Sequence, residues 1–193
     1  MSADFAVCYP LKRGRAHEAC GPGATYFAAT CCNFSDKPAF WISPSWQQGG
    51  LNPEGLAAYC DPTRLLLARA ASQIDILAVA EEALRSGAVG LVVAEIYEPL
   101  SLTHGRRLQL AAEAGRTTGL ILTPDGMGSN AAETRWCCMP LSGDRDSTLH
   151  RWDLIKNKSG TLENWVTRWD ATARRVIVVS KAGERPRAAP ATG

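Results

Sequence analysis

The apolar positions of this chain follow two rhythms, and the change between them divides the sequence. Ala39-Phe-Trp-Ile-Ser43 is a short apolar run closed by Pro44, which predicts a buried strand that ends in a loop. Asn52-Pro53-Glu54 supplies an N-cap, a proline at the first helical position and an acid in the first turn, so a short helix continues through Leu56, Ala57 and Tyr59. Asp61-Pro62 breaks it, and Arg64–Arg69 reads as the next strand. Asp75 caps a longer helix in which Ile76, Val79, Ala80, Ala83 and Leu84 share one face, Glu81, Glu82 and Arg85 take the other, and Gly87 is the stop. Val89–Ala94 is apolar almost without interruption, as expected of a parallel strand covered on both faces. Thr103 opens a further helix with Leu108, Ala111 and Ala112 inward, ending at Gly115, and Gly119–Thr123 is the strand after it.

The rhythm changes after Pro124. Asp125-Gly-Met-Gly-Ser-Asn130 is a polar, glycine-rich loop, and four strand candidates then follow with no helix between them: Thr134–Met139, His150–Lys156, Trp165–Asp170 and Arg175–Ser180. Asn157–Gly160 and Asp170–Ala173 carry turn chemistry. Strands separated by single helices imply parallel pairing through right-handed crossovers, and strands joined by turns imply antiparallel pairing. The expected fold class is therefore α/β: a mostly parallel sheet flanked by helices, extended by antiparallel strands in the C-terminal half. The expected division is an N-terminal segment at 1–16, one domain at 17–180 and a flexible basic tail at 181–193.

Composition narrows the function classes. The 193 residues suffice for one substantial core, and 46% hydrophobic with 21% charged residues is ordinary for a globular domain. A formal net charge of +2 gives no general pull towards nucleic acid, although basic residues gather at Lys12-Arg13-Gly14-Arg15 and from Lys181 to Arg187. No apolar run reaches the length of a membrane span, and the first residues lack the pattern of a secretory signal. Seven cysteines, an odd number with two adjacent pairs and no Cys-x-x-C, read as small buried thiols in a reducing cytoplasm, and three scattered histidines add nothing to a zinc motif. Trp136, Trp152, Trp165 and Trp169 fall in strand-like runs and read as packing residues, with a base-stacking platform as the rival.

Candidate chemistry centres on His17-Glu-Ala-Cys-Gly-Pro-Gly-Ala-Thr25, a lead-in to Gly21-Pro22-Gly23 followed by the helix-like run from Tyr26 to Cys32. A glycine loop opening a helix resembles the phosphate cradle of nucleoside triphosphatases, in which backbone N–H groups and a lysine hold the phosphates. Gly21, Pro22, Gly23 and Ala24 would form that cradle, Thr25 offers the magnesium hydroxyl, and Glu95 stands where a magnesium-side acid would be. No lysine lies between Gly21 and Cys32, and Ser43-Pro-Ser-Trp-Gln-Gln48 contains no acid to activate water, so the site reads as degenerate and the protein as no enzyme. No Gly-x-Ser-x-Gly elbow occurs, and Cys137-Cys138 has no histidine nearby in sequence.

These segments, taken in order, resemble the ImuA family, the RecA-like accessory proteins of bacterial damage-induced mutagenesis. The resemblance runs from His17 to Val179 through Phe40-Trp-Ile-Ser43, Leu51-Asn-Pro-Glu-Gly-Leu56, Asp61-Pro-Thr-Arg-Leu-Leu-Leu67, Ala80–Val89, Arg106–Gly115, Thr134-Arg-Trp136 and Trp152–Lys158. The same segments are similar, more distantly, to the ATPase core of RecA. That likeness puts Glu95 at the magnesium-side acid, Ser45 at the catalytic glutamate, and Lys156 and Lys158 at lysines that reach a neighbouring subunit. The resemblance implies a RecA-like core and a non-catalytic accessory protein of SOS-regulated, error-prone translesion synthesis. Its partners would be ImuB, an error-prone DNA polymerase and RecA, with Lys156 and Lys158 as partner-contact candidates, DNA approached indirectly and no cofactor required. Two rivals stand beside it: an ATP-binding RecA-like module that uses ATP and magnesium, and a SulA-like cell-division inhibitor with a shortened RecA-like core.

Overall fold

The computed structural model describes residues 4–142 and 148–181. Lys181, expected to open the tail, is instead the last residue of the final strand, and the rest of the expected tail, 182–193, lies outside the described residues. One nine-stranded sheet runs through the molecule in the order β3-β2-β4-β5-β1-β6-β7-β8-β9. Its parallel part is β1 (Ala16–Cys20), β2 (Ala39–Pro44), β3 (Leu65–Ala70), β4 (Leu91–Glu95) and β5 (Thr118–Leu122), to which β6 (Thr134–Pro140) adds in parallel beside β1. Then β7 (His150–Asn157), β8 (Glu163–Asp170) and β9 (Arg175–Lys181) follow as antiparallel neighbours. The α/β class, the mostly parallel sheet and the antiparallel C-terminal extension are thus as the sequence pattern predicts.

Helices α2 (Ala24–Cys31) and α3 (Pro53–Ala57) follow β1 and β2, whose crossovers run towards β3. Helices α4 (Gln73–Ser86) and α5 (Leu102–Gly115) follow β3 and β4, whose crossovers run back towards β1. The α2 side buries Phe27 and Cys31 with Trp41, Val93 and Leu120. The opposite side buries Ile76, Leu84 and Leu108 with Val92 and Ile121. Direction and covering face change together, as a single crossover handedness requires.

Three local readings need correction. His17–Cys20, treated as a lead-in, is the innermost strand β1, buried at every position. Its polar residues hid it from the apolar pattern, and each is satisfied internally. His17 bridges Lys12 O at 2.9 Å and Thr134 Oγ1 at 2.7 Å, and Glu18 pairs with Arg135 at 2.6 Å. Helix α4 starts before Asp75. Ser72 is the N-cap: its Oγ accepts from the Asp75 N–H at 3.2 Å and donates to Asp75 Oδ2 at 2.7 Å, so the cap hydroxyl is held at both its donor and its acceptor side. The inward stripe of α4 also turns slightly, with Leu77 and Gln73 buried and Val79 on the surface. Gln73 is inside because its amide accepts from the Tyr97 and Glu98 N–H groups and donates to Glu98 O.

Residues before position 17 join the same packing. Helix α1 (Phe5–Cys8) sets Phe5 against Tyr9 and Trp165, at ring-centre separations of 5.2 and 5.3 Å, and Tyr9 and Leu11 enter the core. Trp136, Trp152, Trp165 and Trp169 are all buried, so the packing reading of the tryptophans holds. Among the described residues no helix is long and apolar enough to cross a membrane.

Candidate functional site

Glycine makes the turn from β1 into α2 possible. Gly21 has φ +85°, and a Cβ there would lie 2.6 Å from the Cys138 carbonyl oxygen of β6. A Cβ on Gly23 would meet the His150 ring at 2.9 Å and the same oxygen at 3.0 Å. The Gly23 N–H donates to Cys138 O at 2.9 Å, and the Ala24 N–H donates to Gly21 O at 3.0 Å. Two of the amides that a phosphate cradle would present are therefore spent inside the protein. The loop is also short. A phosphate wrap takes roughly eight residues from its first glycine to the magnesium hydroxyl, whereas Gly21 to Thr25 spans five. Gly21-Pro22-Gly23 is a closed turn seated on β6.

A crevice remains beside it. The winding of the sheet reverses between the parallel strands β2 and β4, whose crossovers leave in opposite senses, and in open α/β sheets ligands bind beyond the strand ends at such a point. A cavity of about 200 Å³ lies there, lined by Thr25, Trp41, Ser43, Gln47, Arg69 and Glu95 among others. Two of the sequence candidates, Thr25 and Glu95, are thus brought to one cavity, while Gly21, Pro22, Gly23 and Ala24 do not line it. One oxygen of Glu95 is engaged within the protein, because the Trp41 indole N–H donates to its Oε1 at 2.5 Å. Ser45 follows β2 on the surface, with its N–H donating to Ala70 O at 2.8 Å.

Arg69 is the functional candidate that sequence reading missed. It belongs to the edge strand β3, and only the pairing of β3 with β2, Ser43 opposite Arg69, carries it to the crevice. No local motif announces it.

Lys156 and Lys158 sit elsewhere, at the end of β7. Each ammonium donates within the chain, Lys156 to Ala132 O and Lys158 to Ala131 O. Burial, followed by the charge of Lys158, holds the Lys156 ammonium below the usual lysine range. The two lysines clasp the loop before β6 and lie apart from the crevice-lining set.

A buried charge sits on β1 at Glu18, with its side chain 2% exposed. It accepts from Arg135 Nε at 2.6 Å and from the Ser129 N–H at 2.8 Å, and Arg135 in turn donates to Ser129 O at 2.8 Å. Every member is paired, as a buried charge requires, so this network pins the loop ahead of β6. No protein-family model matches the chain, and no curated protein matches it.

Proposed function

We propose that the protein is a non-catalytic interaction protein on a degenerate RecA-like scaffold, acting as an accessory factor in SOS-regulated, error-prone translesion synthesis. The observation that carries the non-catalytic part is the Gly23 N–H donated to Cys138 O, with both loop glycines backed against that carbonyl. A phosphate cannot take those amides without breaking the turn. The parallel sheet with a glycine turn leading from an inner strand into a helix supports the RecA-like scaffold. ImuB, an error-prone polymerase and RecA are the partners that the sequence resemblance implies, and seven cysteines with no disulfide between them suit action in a reducing cytoplasm. The test is co-purification of the tagged protein from damaged cells, with and without Lys156→Ala/Lys158→Ala. Recovery of ImuB and RecA supports the reading. Their absence from the wild-type eluate overturns it, and equal recovery by the double variant removes the lysines from the contact.

One observation favours a second reading, an ATP-binding module. Arg69 shares the crevice with Thr25 and Glu95 and could supply the positive charge that the missing loop lysine would have carried. Titration with labelled ATP and magnesium separates the two. Saturable binding lost in Arg69→Ala and Glu95→Gln establishes the module, and no binding at millimolar nucleotide ends it. The SulA-like alternative predicts filamentation of cells on overexpression.

A further inference from the structure

Outside that crevice, three sequence-distant residues converge at the ends of the inner strands. Cys20 is the last residue of β1, Cys137 is its partner across the parallel β1–β6 ladder, and Asp125 lies in the loop that carries the chain from β5 over β1 to β6. The two sulfurs and a carboxylate oxygen of Asp125 lie within 4.8 Å of one another. A tetrahedral zinc ion with Zn–S bonds of ~2.3 Å holds its ligand atoms roughly 3.5–3.8 Å apart, so small side-chain adjustments would close the set.

The surroundings point the same way. Two acids near it on this face have cations of their own: Glu18 has Arg135 at 2.6 Å, and Asp153, opposite Cys137 on β7, has Arg151 at 2.7 Å. Asp125 makes no ion pair among the described residues, and its carboxylate lies against thiols. Thr123 lies one residue beyond the Ala19–Leu122 pair, in the row of Cys20 and Cys137. Its hydroxyl is buried and has no hydrogen-bond partner. A buried hydroxyl without a partner at the end of the strand next to that of Cys20, and a carboxylate with no cation of its own among the described residues, leave polar groups to spare here.

We propose that Cys20, Cys137 and Asp125 form a binding site for a thiophilic divalent cation, Zn²⁺, with a fourth position left to water. Two thiolates select a soft metal, and the carboxylate completes a three-ligand set of the kind found where one coordination position stays open. Binding releases the two thiol protons to solvent. Burial, then the hydrogen bond to Asp125, pushes the Cys20 thiol well above its ordinary value, and a bound dication reverses that preference. The site ties the ends of β1 and β6 to the β5–β6 loop, directly behind Gly21. Sequence spacing offered no zinc motif because the ligands come from three elements.

The test uses the full chain, reduced and metal-free, titrated with Zn²⁺ against a chromophoric chelator and separately with Co²⁺. The expected result is about one Zn²⁺ per chain, with thiolate-to-cobalt charge-transfer bands and the visible spectrum of tetrahedral cobalt. Cys20→Ala and Cys137→Ala should abolish both signals, whereas Cys32→Ala and Cys60→Ala, at the other close thiol pair, should leave them unchanged. Asp125→Asn lies on an exposed loop, keeps the fold intact and should weaken Zn²⁺ binding by roughly tenfold or more while altering the cobalt spectrum. No uptake by the reduced wild type overturns the proposal. So does retention of the metal in Cys20→Ala or in Asp125→Asn, or a Cys20–Cys137 disulfide appearing in air in a protein that takes up no zinc when reduced.

Discussion

The inner parallel strands β1, β4 and β5 and the strands β6 to β8 belong to one sheet but bury their residues differently. In β1 every position is buried, and in β4 all but Glu95. In β6 and β7 burial alternates: Thr134, Trp136 and Cys138 are inside while Arg135 and Cys137 are partly open, and His150, Trp152 and Leu154 are inside while Arg151 and Asp153 are partly open. The inner strands β1, β4 and β5 have helices on both faces, the edge strand β3 leaves Leu66 and Leu67 exposed, and β6 to β8 are packed on one face by α1, α2 and the aromatic cluster. The half-covered face is where chemistry can sit. Arg135, Cys137, Arg151 and Asp153 all lie on it, and the metal site proposed above uses its border with β1.

The sharpest way to break this contrast is at that border. Arg135→Ala should cost about 3–5 kcal/mol, because it leaves the Glu18 carboxylate buried and unpaired. Chemical denaturation measures it, and a loss below about 1 kcal/mol would mean that water reaches Glu18 and the border is open. The second test is pH. Burial lowers the His17 pKa to about 4. Lys12 O can only accept, so Nε2 carries the ring proton and Nδ1 accepts from the Thr134 hydroxyl. The unfolded chain therefore binds a proton more readily than the folded one between pH 6.5 and 4. This contribution is fully present above pH 6.5 and is lost as pH falls, reaching about 3 kcal/mol. His17→Gln should flatten the slope in that window, and an unchanged slope would assign it to other groups.

A valine scan compares the halves directly. Val92→Ala and Val93→Ala, adjacent on β4 and both fully buried, should each cost about 2 kcal/mol, since both faces are covered. On β8, Trp165→Ala should cost about 3–5 kcal/mol and its neighbour Val166→Ala less than about 1 kcal/mol. Equal losses at Val92 and Val166 would refute the one-sided reading. The smallest effect is expected at α4, where Ser72→Ala should cost about 1 kcal/mol by removing the cap, while Val79→Ala costs less than about 0.5 kcal/mol.

Most of the architecture was legible because its signals are local. Gly87 in the left-handed region, Asn52 before Pro53 and the apolar run into β4 each depend on a few neighbouring residues. What escaped depends on partners far away. Strand β1 looked too polar to be central, because His17 is satisfied by Thr134 and Glu18 by Arg135, both more than a hundred residues distant. The candidate site divides in the same way. Thr25 and Glu95 were named from position alone and do meet in one crevice, while Arg69 reaches it only through the β2–β3 pairing.

The chain by itself determined the alternation of strands and helices from Ala39 to Pro124, the antiparallel strands beyond it, and the absence of a loop lysine, since all three are written in neighbouring residue types. Tertiary structure alone decided which strand lies innermost, that Gly21 and Gly23 close against Cys138, and that Cys20, Asp125 and Cys137 come together. Those outcomes depend on strand order and register, and a one-residue change of register would carry each side chain to the opposite face.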